Sequence, residues 1–115
     1  MSKLDDLIPT FAAAIAKTKS KGKTDEALLR TIAKSLGPSL FRDDASLISA
    51  GDPEEIERVR NNFLIKKLGI ADGPALDTAI NEVLDLVGRS TKNKYRVVVY
   101  YLLVKLLKKE AKFGA

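Results

Sequence analysis

The sequence predicts an all-α fold: a single compact bundle of five or six helices, one domain over residues 1–115, with a largely buried C-terminal helix. Three observations carry this. Apolar residues recur at helical spacing along almost the whole chain, capping signals and Gly/Pro stops divide it at short intervals, and its last long segment is apolar nearly all round.

The first stripe is Leu4, Leu7, Ile8, Phe11 and Ile15, one face of a helix that Ser2 can cap. Pro9 lacks an N–H and crowds the preceding turn. The helix therefore either kinks there or begins at Asp6, and the unbroken stripe favours a kink. Lys17–Lys23 is a polar, basic connector. Thr24 or Asp25 then caps a helix that turns Leu28, Leu29, Ile32 and Leu36 inward, and Gly37-Pro38 ends it. Leu40 and Phe41 fall in an irregular stretch, with a brief helix from Asp44 to Ile48.

Asp52-Pro53-Glu54-Glu55 is the clearest start signal in the sequence. Asp52 is the N-cap, Pro53 takes the first helical position, and Glu55 is placed to bond back to the cap. This helix runs to Leu68 with Ile56, Val59, Phe63 and Ile65 apolar, and Gly69 closes it with Ile70 packed on Ile65. Asp72-Gly73-Pro74 opens the next helix, whose face is Leu76, Ile80, Val83, Leu84 and Val87. Gly88 ends it. Ser90 or Thr91 caps the last helix, expected from about Lys92 to Lys109.

That last segment, Arg96–Val104, is β-branched and aromatic, which suits a strand. No second strand-like run exists to pair with it, and good helix formers continue beyond it, so it is read as a helix. Tyr95, Val98, Val99, Leu102 and Leu106 form one stripe; Val97, Tyr100, Val104 and Leu107 form another on roughly the opposite side. Either the other helices wrap it, or part of the second stripe is a homodimer seam.

Composition narrows the chemistry. The chain is 45 % hydrophobic and 30 % charged, an ordinary globular balance, and contains neither Cys nor His. Thiol nucleophiles, disulfides and thiolate metal sites are excluded, and the usual base of serine-type triads and the commonest metal ligand are missing. No catalytic residue, cofactor or metal is expected. The opening residues lack a signal-peptide pattern, and the longest apolar run, Val97–Val104, is far short of the roughly 20 residues that span a bilayer. No membrane partner and a cytoplasmic location are expected.

The net charge of +5 is unevenly spread. Residues 89–112 carry eight Lys and Arg against Glu110, while residues 43–57 carry six acids and no base. The basic C-terminal helix makes nucleic acid the alternative partner, though Lys in a last turn also offsets the helix dipole, and Tyr95, Tyr100 and Tyr101 sit at core positions. Asp52, Glu54, Glu55 and Glu57 have a capping and dipole explanation that removes the need for a metal. Gly22-Lys23-Thr24 resembles the end of a phosphate loop, but Lys17 stands where that pattern needs Gly.

Asn61 and Asn62 interrupt an amphipathic helix. Either an Asn bonds a neighbouring helix end or a Tyr hydroxyl, or these residues line a recognition surface. The candidate partner surface is therefore Asn61, Asn62, Lys66, Lys67, Asn93, Lys94, Arg96, Val97, Tyr100 and Val104. The function expected is a non-enzymatic, self-associating protein–protein interaction module.

Gly37-Pro38-Ser39, the run Asn61–Gly69, Asp72-Gly73-Pro74 with Leu76-Asp77, Asn93–Arg96 and Val98–Leu103 together resemble the bacterial family called domain of unknown function 2853. They lie in order over nearly the whole chain. The resemblance implies a compact all-helical domain and carries over no catalytic residue. Pro9 and the Lys-rich connector depart from the family's pattern.

Overall fold

Helix ends are where the sequence speaks most plainly, and a computed structural model places them. It describes residues 3–16, 26–36, 52–88 and 95–109. Among these the chain forms α1 (Lys3–Ala16), α2 (Glu26–Leu36), α3 (Pro53–Arg58), a π-helical continuation (Val59–Lys67), α4 (Pro74–Val87) and α5 (Arg96–Leu107). No strand occurs among the described residues. The radius of gyration, 13.0 Å, matches the roughly 13 Å of a packed domain near this length. No described helix is long and apolar enough to cross a membrane.

α1 runs through Pro9, and Ile8, Phe11 and Ile15 are buried along one face as the spacing requires. α2 buries Leu28, Leu29 and Ile32, and α4 buries Leu76, Ile80, Val83 and Leu84. Pro74 stands in the first turn of α4. Gly69 (φ 70°) and Gly88 (φ 98°) end their helices in backbone conformations that side chains resist. The Ser2, Thr24 or Asp25, and Ser90 or Thr91 caps lie outside the described residues. So do the 17–23 connector, the Gly37-Pro38 stop and the short helix at 44–48.

α5 sits at the centre. It packs on α1, α2 and α4, and every residue from Val97 to Val104 is buried. Between Val97 and Val104 both apolar stripes are thus interior within one chain, while Leu106, at the end of the first, is exposed. Its bounds differ from those expected. Tyr95 is extended (φ −62°, ψ 130°), so α5 begins at Arg96, not near Lys92. It ends at Leu107 because Lys108 turns into the left-handed region (φ 56°, ψ 46°). The Lys108 N–H then donates to the Lys105 carbonyl and that of Lys109 to Val104, the bond pair of a Schellman ending. A lysine holds that conformation at a cost that glycine avoids. Lys108→Gly is expected to stabilise the domain by roughly 1 kcal/mol, read as a higher melting temperature; a lower one would contradict the cap assignment.

The larger difference lies in the third helix, which is α-helical only to Arg58. From Val59 the bonds widen, so that the Leu68 N–H donates to the Phe63 carbonyl, five residues back. Such bonding brings residues four and five apart onto one face. Val59, Phe63, Leu64 and Leu68 follow that spacing, and all four are buried. The ending is widened to match, with the Ile70 N–H reaching the Leu64 carbonyl.

Candidate functional site

The site is built from the helix start at Asp52. Its carboxylate accepts from the Glu54 N–H at 3.0 Å, and Pro53 follows as expected. Glu55 does not bond back to the cap. Its side chain turns inward and is nearly buried, with one oxygen paired to Arg96 and the other 3.3 Å from Arg58 Nη1. The reason is electrostatic: a guanidinium at the start of the central helix meets little water, and the Glu55 carboxylate reaches it.

Arg96 carries the linkage onward. Its Nη1 donates to the Tyr100 hydroxyl at 3.2 Å, and its guanidinium lies 5.8 Å from the Tyr100 ring centroid. Tyr100 stacks on Phe63 with centroids 3.8 Å apart and planes 8° from parallel. Glu55, Arg96, Tyr100 and Phe63 thus fasten the 53–67 helix to α5. Burial alone would lower the Arg96 pKa, but the bonds to Tyr100 and Glu55 hold it above its ordinary value. Burial pushes the Tyr100 phenol up, with the Arg96 contact opposing only part of the rise.

A tyrosine whose folded pKa lies above its unfolded value near 10 stabilises fully below that pH. The contribution is lost as pH rises through the folded value. Urea midpoints taken from about pH 9 to about pH 11 should therefore fall more steeply for the native protein than for Tyr100→Phe. Parallel profiles would contradict the burial of this phenol.

A second clamp holds the π-helical stretch to the start of α4. Arg60 pairs with Asp72, and its Nε lies 3.4 Å from the Asp77 carboxylate. These two anchors leave the opposite face of the helix outward. There Glu54, Glu57, Arg58, Asn61 and Asn62 line a shallow polar depression of about 340 Å³. Lys66 and Lys67 stand exposed at its C-terminal end. Glu57, Asn61, Asn62, Lys66 and Lys67 have no side-chain partner among the described residues.

The expected partner surface is thereby divided. Asn62, Lys66 and Lys67 are exposed and Asn61 is half-buried on one helix. Arg96 faces inward to Glu55. Val97, Tyr100 and Val104 are 1 %, 6 % and 0 % exposed, so they are core residues and offer no seam to a second molecule. Asn93 and Lys94 lie outside the described residues. The Tyr100 hydroxyl is taken by Arg96, so it does not account for either Asn. Glu54, Glu57 and Arg58 were not anticipated as members of this face, although the spacing 54, 57, 58, 61 and 62 is that of one helical face. Among the described residues no three His, Cys, Asp or Glu side chains gather to hold a metal ion.

A family model described as "Protein of unknown function (DUF2853)" matches residues 10–111. No curated protein matches the chain.

Proposed function

The chain belongs to the DUF2853 family, and from that premise we propose that it works as a non-enzymatic interaction module whose partner seats on the outer face of the 53–67 helix. One observation carries the reading: Glu57, Asn61, Asn62, Lys66 and Lys67 present donors and acceptors with no side-chain partner among the described residues. Their helix is held from behind by the Glu55–Arg96 and Arg60–Asp72 pairs, so these groups are presented on a fixed backbone. π-Helical turns are uncommon and recur at functional sites, and this face spans one. The absence of His and Cys supports a role without chemistry.

Self-association was expected along Val97, Tyr100 and Val104. Because those residues are interior, a homodimer needs another surface.

A photoreactive residue at position 62, introduced into the full chain in its native cells, tests the reading. An adduct from position 62 and none from exposed position 82 on α4 is the expected result. No adduct from position 62 would contradict it.

Nucleic acid is the competing partner. It is favoured by exposed Lys105 and Lys108 at the end of α5 and by the net charge of +5. Filter binding across a salt series separates the two, and no retention at low salt removes this reading.

A further inference from the structure

Resting on the reading of this face as the partner-facing one, we propose that its occupant is a second copy of the chain. The two 53–67 helices lie antiparallel across a two-fold axis that passes near Asn61 and Asn62. Beyond Arg58, which Glu54 and Glu55 of its own chain flank, the charges on the exposed face are sorted along the helix, with Glu54 and Glu57 towards its start and Lys66 and Lys67 at its end. A two-fold axis across the helix reverses its direction, so the acidic end of each copy meets the basic end of the other. A parallel arrangement would set like charge on like.

Such an interface is self-complementary, as two-fold contacts must be. The residues at its middle suit the axis. An Asn amide carries both donors and an acceptor, so an Asn near the axis can bond its own symmetry mate reciprocally. Among the described residues Asn61 and Asn62 leave that capacity unused, and the charge pair beside them, Glu54 with Arg58, is 3.9 Å apart with both side chains exposed. One helix face is a small area, and exposed ion pairs contribute little each, so the association is weak and salt-sensitive.

Charge reversal tests this on the full chain. Sedimentation velocity is measured from roughly micromolar to millimolar protein, the span in which a small interface shows itself. The native chain should dimerise at low salt and dissociate as salt rises. Glu54→Lys with Glu57→Lys makes both ends basic, and Lys66→Glu with Lys67→Glu makes both ends acidic. Each variant alone should remain monomeric. Mixed, they should form a heterodimer in which both ends again pair, bound at least about tenfold more tightly than either variant binds itself, a difference of about 1.4 kcal/mol.

The first variant has a net charge four units above that of the +5 chain and the second four units below, so neither is anionic. Bulk attraction between the two therefore does not explain such a rescue. The substituted side chains are exposed, and circular dichroism checks that both variants fold. A native chain monomeric throughout, a dimer persisting in both variants, or a mixture without heterodimer overturns the proposal. An adduct from position 62 to a different macromolecule leaves the interaction reading standing while overturning this one.

Discussion

Leu103→Ala is expected to cost about 4 kcal/mol of folding stability, near the upper part of the range for a buried leucine. Leu103 is 0 % exposed on the helix that α1, α2 and α4 all pack against. Removing its isobutyl group leaves a void bordered by several helices, which no single one can close by shifting. Domains of this size are stable by only about 5–15 kcal/mol, so the loss takes a large share and lowers the melting temperature by roughly 15 °C. Leu106→Ala, three residues on but 39 % exposed, should cost less than about 1 kcal/mol. Urea unfolding of the two variants side by side checks the contrast. Similar losses would show that α5 is covered less completely than its burial indicates.

Glu55→Ala is the second large effect, about 3 kcal/mol, and its cause is different. The substitution removes little apolar contact but takes from Arg96 the carboxylate paired with it, Glu55 being nearly buried itself. A guanidinium left in a poorly hydrated site loses far more than an exposed ion pair contributes. The distinguishing variant is the double change Glu55→Leu with Arg96→Met. It replaces the pair by apolar groups of similar length and should recover most of the loss, because a buried pair adds little over well-packed hydrophobes. If the double variant is as unstable as Glu55→Ala, the Glu55 site depends on something other than charge compensation.

The parts of this fold legible in the sequence are those set by local chemistry. Asp52-Pro53, Gly69 and Gly88 act through backbone rules that hold wherever the chain goes, and each ends or begins a helix where those rules place it. The faces of α2 and α4 follow from apolar spacing for the same reason.

The remainder depends on partners distant in sequence. Glu55 has the position of a capping-box residue, yet Arg96, 41 residues away, draws its carboxylate inward. The π-helical stretch left a trace, since Val59, Phe63, Leu64 and Leu68 are spaced by four and five. Read with a period of 3.6, that set is merely an imperfect α-helical stripe. The site was legible in half. Asn61 and Asn62 signal themselves because Asn is out of place inside a helix. Sequence periodicity alone does not distinguish an apolar stripe that meets another helix of the same chain from one that meets a second molecule, and so Val97, Tyr100 and Val104 were open to both readings.

The most direct test of the central claim, that one chain by itself covers α5 from Val97 to Val104 on every side and leaves the 53–67 helix to face a partner, is amide hydrogen exchange along α5 at successive dilutions. The amides of residues 99–104 should be among the slowest in the protein and should exchange at the same rate however dilute the sample. Protection that weakens on dilution would mean that a second molecule covers the Val97–Tyr100–Val104 edge, and would contradict the account.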